Sequence, residues 1–247
     1  MVTFSIEEKM IIKHKKERKQ KNLIAVYEKL ESYYGNQNWW PADSAFEVII
    51  GTILAQNVSW NNASNAIKNL KKASLLDPKK IYDADLQEIA VQIRPSRFYN
   101  QKARKIKNFI EFFFEEYNGN ISDMSNEEMY VLRKKLLKIQ GIGEETVDSI
   151  ILYACDKPIF VVDAYTKRIF SRYGFFEKNK TYCQIQEFLM MNLPIDRDLF
   201  NDFHAQIDCL GNSICKNRPN CELCPIKCIS KDLYCLNYLS FQEKIRN

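Results

Sequence analysis

Four groups of residues in this chain have the types and spacing for chemistry. The first is "GIGEETVD", Gly141 to Asp148, a Gly-x-Gly turn that enters a helix. Free backbone N–H groups point outward at such a turn and can hold a phosphate. Its helix opens on Glu144 and Glu145, carboxylates that favour a helix N-terminus on their own account yet repel an anion. The second is Asp163, delivered by the apolar stretch "IFVV" to the mouth of "AYTKRIFSRYG", where it reads as the helix N-cap. The third is a crowd of cysteines. Cys155 and Cys183 are scattered, whereas Cys209, Cys215, Cys221, Cys224, Cys228 and Cys235 share the C-terminal tail. In a reducing compartment that crowding points away from disulfides and toward a metal site. The fourth is a single window, "NWWPADSAFEVIIGTILAQNVSW", that holds all three tryptophans, Trp39, Trp40 and Trp60.

The elements that must position these groups read as helices. "NLIAVYEKLESYY" sets Leu23, Val26, Tyr27 and Leu30 on one face, with helical rather than strand period. "DSAFEVIIGTILAQNVSW" reads as one nearly all-apolar buried helix, N-capped by Asp43 or Ser44, with Gly51 allowing another helix to approach closely. "NNASNAIKNLKKA", "ADLQEIAVQI", "NQKARKIKNFIEFFFEEY" and "SNEEMYVLRKKLLKI" continue the series. After the glycine turn come "EETVDSIILYAC" and "AYTKRIFSRYG", the latter ended by Gly174, and then helices near Tyr182–Met191 and Asp198–Leu210. The chain has 247 residues, 46% of them hydrophobic, and seven glycines and seven prolines are too few for a long strand-and-turn architecture. An all-α fold is expected.

Lysine plus arginine exceed aspartate plus glutamate by five, an excess compatible with a nucleic-acid partner but not demanding one. No apolar run is long enough to span a bilayer, and the basic N-terminus "KMIIKHKKERKQKNLIAVYEKL" lacks the apolar core of a secretion signal. A cytoplasmic protein without a membrane partner is expected. The basic N-terminal stretch reads as a solvated helix face.

"LRKKLLKIQGIGEETVDSIILYA" is helix, hairpin, helix, and its L-x-x-I-x-G-I-G core, Leu136 to Gly143, resembles the helix-hairpin-helix of non-sequence-specific DNA-binding proteins. Amides at Gly141, Ile142, Gly143 and the first turn beyond would then donate to one strand of DNA. Twenty residues past Gly143 stands Val161-Val162-Asp163. Hairpin followed by V-V-D at this distance resembles the endonuclease III superfamily of DNA base-excision glycosylases, from about Trp39 to the last cysteines. The resemblance implies that Asp163 is catalytic, stabilising the cationic sugar that forms as the glycosidic bond breaks or helping to activate water. A carboxylate beside a developing oxocarbenium ion is electrostatically reasonable. The chain departs from the family at Glu145. Members resembling endonuclease III itself carry there a lysine that attacks the sugar as a Schiff-base nucleophile and nicks the backbone. Neither Glu144 nor Glu145 can do so, which implies a monofunctional enzyme.

"ILAQN" resembles the family's helix end whose glutamine, Gln56 here, enters the duplex where the damaged base has left, with Asn57 beside it. "WWP" and "RPSRFYNQKA" resemble, more narrowly, the 3-methyladenine DNA glycosylases of the endonuclease III type. That likeness implies a base pocket lined by Trp39, Trp40, Pro41 and Trp60. An alkylated purine carries positive charge, and an indole face attracts a cation with ~0.5 to 2 kcal/mol. The competing reading of these tryptophans is as core. Arg94, Arg97, Lys102, Arg104, Lys105, Lys107, Lys167 and Arg168 are candidate phosphate contacts.

Iron–sulfur members of the family end in C-x6-C-x2-C-x5-C around a [4Fe-4S] cluster. Here five residues separate Cys215 from Cys221 and two separate Cys221 from Cys224. The fourth ligand is open between Cys228 and Cys235, with "KDLYC" favouring Cys235 slightly. Zinc is the rival metal. With two histidines, His14 and His204, zinc would need four thiolates, and the run contains one CxxC where structural zinc sites usually pair two.

The expectation is therefore a two-lobed, all-α helix-hairpin-helix glycosylase with a C-terminal [4Fe-4S] loop and with DNA running across the cleft. One lobe is residues 43–158, with the hairpin at about 128–155. The other joins 1–42 to 159–247 and includes the cluster loop, 215–235. A monomer acting on double-stranded DNA that contains a damaged, alkylated purine is expected. A bifunctional glycosylase/lyase for oxidised pyrimidines is the nearer alternative, and a non-enzymatic DNA-binding module the further one.

Overall fold

A computed structural model describes residues 6–230 and 233–239, with side chains from residue 17 onward. Lys231 and Asp232 of the expected cluster loop, and both ends of the expected second lobe, lie outside the described residues. The fold is all-α. In chain order the helices are α1 (Ile6–Tyr34), α2 (Ala45–Ala55), α3 (Trp60–Lys72), α4 (Pro78–Asp83), α5 (Leu86–Gln92), α6 (Tyr99–Tyr117), α7 (Ile121–Asn126), α8 (Met129–Leu136), α9 (Glu144–Ser149), α10 (Ala164–Tyr173), α11 (Tyr182–Asn192) and α12 (Arg197–Ser213). A π-helical turn, Ile150–Ala154, prolongs α9. The strands β1 (Cys228–Ser230) and β2 (Leu233–Tyr234) form one small antiparallel pair. No helix among the described residues is long and apolar enough to cross a membrane.

The chain divides into two compact units. One is sequential, Trp40–Ile159, and the other joins Met1–Trp39 to Phe160–Asn247. In the sequential unit α2 is the central element: Phe46 through Leu54 are all buried, and it packs on α3, α6 and the π-helical turn. Ser44 is its N-cap, accepting from the Glu47 amide at 3.2 Å, while Glu47 reaches back to the Asp43 amide at 3.0 Å. The long apolar stretch is not one helix. It breaks at Gln56 and Asn57, where Asn57 turns left-handed (φ 55), and Ser59 caps a new helix that starts at Trp60. Asn and Ser stop helices because their side chains bond the backbone locally, a signal that the hydrophobic pattern overrides in the sequence. The short helices α4 and α7 have too few residues to show a period, although α4 opens on a start signal, Asp77 as N-cap with Pro78 next.

In the discontinuous unit α1 packs on α11 and α12, and α10 packs on α12. Leu23, Val26 and Leu30 are fully buried, and the Tyr27 hydroxyl reaches from that face to Asp202 at 3.1 Å. α10 runs from its cap, Asp163, to Gly174.

The hairpin is held by one ion pair. Asp148 is completely buried and Arg133 grips both of its oxygens, Nε to Oδ1 at 2.7 Å and Nη2 to Oδ2 at 3.0 Å. This bidentate pair ties α8 to α9 across the glycine turn, and Glu144 adds a longer contact to Arg133 at 3.7 Å. Removing one member of a buried pair strands the other charge away from water. Arg133→Met should therefore lower unfolding free energy by about 3 kcal/mol, measured by urea denaturation, and replacing Asp148 with Leu in the same chain should restore part of the loss.

Candidate active site

Gly141 and Gly143 flank Ile142 in the turn between α8 and α9. Gly141 has φ +90, and a Cβ there would strike the Lys105 stem at 2.8 Å, so both conformation and packing demand glycine. Gly143 differs. Its φ of −102 suits any residue, and a Cβ would meet nothing within 4 Å. No contact among the described residues demands glycine there. Between them, Ile142 is buried and its amide donates to the Ile139 carbonyl at 3.2 Å. Glu145 is exposed, and Glu144 leans toward Arg133.

Gln56 sits at the end of α2 with both ends of its amide engaged. Nε2 donates to Thr146 Oγ1 at 2.8 Å, and Oε1 accepts from Lys105 Nζ at 2.5 Å. Thr146 belongs to the first turn of α9, so Gln56 and the hairpin share one network. Asn57 is exposed beside Gln56.

Three lysines of α6 have internal work, contrary to their reading as phosphate contacts. Lys102 is 2% exposed and donates to the carbonyls of Leu54 (2.8 Å) and Ser96 (2.7 Å). Burial, with Lys105 nearby, pulls its amine down to about 8. Burial also lowers Lys105. Lys107 bonds the carbonyls of Ile81, Tyr82 and Ala84 at the end of α4. Arg168 likewise donates to the Cys215 and Gly211 carbonyls, at 2.8 and 3.0 Å, while its guanidinium lies over Tyr165. Orphan carbonyls at helix ends attract buried cations, and sequence does not show which carbonyls lie nearby. Arg94, Arg97, Arg104 and Lys167 remain exposed.

The tryptophans form part of an aromatic cluster. Trp40 meets Trp60 edge-to-face at 5.0 Å and 88°, and Tyr153 tilts against Trp40 at 5.5 Å. Gly51 makes room for Trp40, not for a helix: a Cβ on Gly51 would lie 3.3 Å from the indole. Perpendicular rings in contact leave no slot between Trp40 and Trp60. Trp39 is half-buried in the discontinuous unit, and Pro41 is exposed at the entry to α2. Tyr153 was not singled out in the sequence. It reaches the cluster through the π-helical turn, a local widening that often marks functional sites.

Phe98 is a second residue that sequence reading passed over. Arg97 and Phe98 are consecutive left-handed residues (φ 50 and 46), a costly conformation for bulky side chains, and Phe98 is 61% exposed. An apolar ring held in water by a strained turn amid Arg94 and Arg97 is a candidate contact with nucleic-acid bases.

Asp163 caps α10 with one oxygen. Oδ1 accepts from the Thr166 amide and from Thr166 Oγ1, both at 2.7 Å, while Oδ2 faces His204 Nε2 at 4.0 Å. Both side chains are mostly buried, 11% and 12% exposed. Nearby Asp208 is raised by burial, opposed by His204 and reinforced by Asp163.

Cys215, Cys221, Cys224 and Cys235 line one small pocket, together with Arg172 and Asn237. Cys228 is exposed on β1, with its sulfur near the Ser230 carbonyl. Two N–H donors reach sulfur: Arg172 Nη1 to Cys215 at 3.3 Å and Asn237 Nδ2 to Cys221 at 3.5 Å. Burial and the neighbouring thiols push Cys224 up to about 12. Among the described residues no three His, Cys, Asp or Glu side chains form a group that could hold a single metal ion.

Residues 50–194 match the family described as HhH-GPD superfamily base excision DNA repair protein. A Methanocaldococcus jannaschii protein provisionally named a DNA repair glycosylase is 44% identical over 220 residues, covering 87% of this chain and 100% of that protein. Endonuclease III of Sulfolobus acidocaldarius is 33% identical over 207 residues, covering 83% of this chain and 86% of the relative. Among solved structures, the H. pylori 3-methyladenine DNA glycosylase bound to 1,N6-ethenoadenine superposes with a TM-score of 0.67 at 26% identity, covering 76% of this chain and 96% of that one. A trapped covalent complex of endonuclease III with DNA has the same fold, with a TM-score of 0.76 at 20% identity over 90% of this chain and 98% of its own. The chain belongs to the HhH-GPD superfamily of base excision DNA repair proteins.

Proposed function

We propose that the protein is a monofunctional DNA glycosylase that hydrolyses the N-glycosidic bond of an alkylated purine in duplex DNA and leaves an abasic site. The observation that carries this reading is the Asp163 carboxylate, with Oδ1 fixed by Thr166 and Oδ2 left for chemistry in a mostly buried setting. As the C1′–N bond breaks, its electrons leave with the base and cancel the positive charge that alkylation placed there. The sugar becomes cationic, Asp163 Oδ2 stabilises it, and water adds its oxygen to C1′ while giving up a proton. No amine is needed. None stands at Glu145, the exposed second residue of α9 and the position where a lyase would carry its lysine.

The remaining parts have matching tasks. The amides of Gly141 and Gly143 hold a phosphate by backbone dipoles, and glycine at 143, which the fold does not require, keeps the approach open. Gln56 and Asn57 fill the space that the extruded base vacates, and exposed Phe98 supplies a further stacking surface. The indole faces of Trp40 and Trp60, with Pro41, receive the cationic base.

The cysteines fit a [4Fe-4S] cluster better than zinc. Four thiols line one pocket, N–H donors from Arg172 and Asn237 reach two of the sulfurs, as thiolate ligands favour, and the run holds one CxxC where structural zinc sites usually pair two. Cys215, Cys221, Cys224 and Cys235 would be the ligands, with Cys228 outside. The cluster would supply a structural cross-link that ties the tail to α10 and α12.

Three outcomes are expected. Asp163→Asn should slow single-turnover release of 3-methyladenine by at least about 100-fold while duplex binding persists; an unchanged rate would remove Asp163 from the chemistry. Borohydride trapping on a lesion duplex should give no covalent adduct, and strand nicking should be absent, whereas a robust adduct would make the enzyme bifunctional. Purified protein should be brown, with about four irons per chain, and Cys235→Ser should lose them where Cys228→Ser does not; a colourless zinc protein would overturn the cluster.

A further inference from the structure

We propose that Lys102 is a positioning residue: its buried ammonium staples the loop that carries Gln56 to the loop that carries Phe98, so that the two side chains enter DNA as one rigid wedge. The proposal rests on the reading of Gln56 and Phe98 as wedge residues, and it adds what holds them in register.

Leu54 and Ser96 lie far apart in sequence, and Lys102 Nζ bonds both carbonyls, at 2.8 and 2.7 Å. The Ser96 hydroxyl donates to the same Leu54 carbonyl at 3.1 Å, closing a small polar ring in which Ser96 is fully buried. Leu54 precedes Gln56 by two residues at the end of α2, whose own last turn carries no basic residue. Its terminal carbonyls therefore need a donor from elsewhere, and α6 brings one. Ser96 precedes Phe98 by two residues. Between them the chain takes the two left-handed turns at Arg97 and Phe98, strain that persists only where the surroundings over-determine it. Lys105, one turn along α6, grips the Gln56 side chain itself. One helix thus fixes the backbone of both loops and the rotamer of one wedge residue. A buried charge is costly unless paired, and an apolar residue of the same length would fill this space without that cost. What it could not do is bond two loops at once.

The test reads base-stack opening separately from base release. A duplex with 2-aminopurine next to a non-cleavable lesion analogue reports wedge entry by fluorescence. A second duplex with 3-methyladenine reports excision, and thermal melting of each protein reports folding. Lys102→Met should weaken stack opening by about tenfold and slow excision in parallel. In a Gln56→Ala/Phe98→Ala background the same substitution should change nothing further, because the wedge it holds is gone. Equal effects in both backgrounds would mean a general structural role and overturn the proposal, as would wild-type stack opening in Lys102→Met. If Lys102→Met does not fold, Ser96→Ala carries the test. It removes one bond of the ring and should weaken stack opening by about threefold, again only when the wedge is present; an unchanged Ser96→Ala protein would sink the staple. Failure of the Gln56→Ala/Phe98→Ala protein to lose stack opening would remove the wedge reading itself, and the staple with it.

Discussion

Asp148 is a carboxylate with no access to water, and the working parts of the sequential unit hang from the way that charge is satisfied. Arg133 reaches across the hairpin and takes both oxygens, which pins α8 against α9 and sets the glycine turn between them. The same helix places Thr146 under the Gln56 amide and continues into the π-helical turn that brings Tyr153 to Trp40. The glycine turn, the Gln56 side chain and the aromatic cluster are thus all referred to one short helix. An error in its placement reaches each of them.

The glutamates that open this helix lose their paradox once the pair is seen. Glu144 leans toward Arg133, whose guanidinium is already engaged by Asp148, and Glu145 is exposed. Neither carboxylate has to face a phosphate for the glycine amides to do so. Backbone dipoles rather than side-chain charge would make that contact, which is why a turn flanked by acids remains compatible with DNA.

The lysines of α6 show the opposite lesson. A run of cations beside "RPSRFYN" invites a reading as a phosphate track, but Lys102, Lys105 and Lys107 spend their donors on carbonyls and an amide inside the unit. Helix ends within a compact all-α unit leave carbonyls unbonded at every terminus, and a long flexible cation is the side chain able to reach them from another element. Charge therefore reported both kinds of use without separating them. Exposure separates them, since Arg94, Arg97 and Arg104 stay in solvent.

Local chemistry was legible from the sequence alone. The all-α architecture, a cap at Asp43 or Ser44, the cap at Asp163, the Gly-x-Gly turn and the end of α10 at Gly174 follow from side chains that act on their own backbone within a few residues. Family likeness, carried by the hairpin and by Val161-Val162-Asp163, was legible for the same reason: those residues lie close together in the chain. What depended on distant partners was not. The break in the apolar window at Gln56, the perpendicular contact of Trp40 with Trp60, the approach of Tyr153, the strained Phe98 and the gathering of Cys235 rather than Cys228 around the sulfur-lined pocket are set by which elements pack together. Helical period states which face is buried and is silent about what lies against it. Only tertiary packing decides that, because it alone determines which buried charge meets which orphan carbonyl.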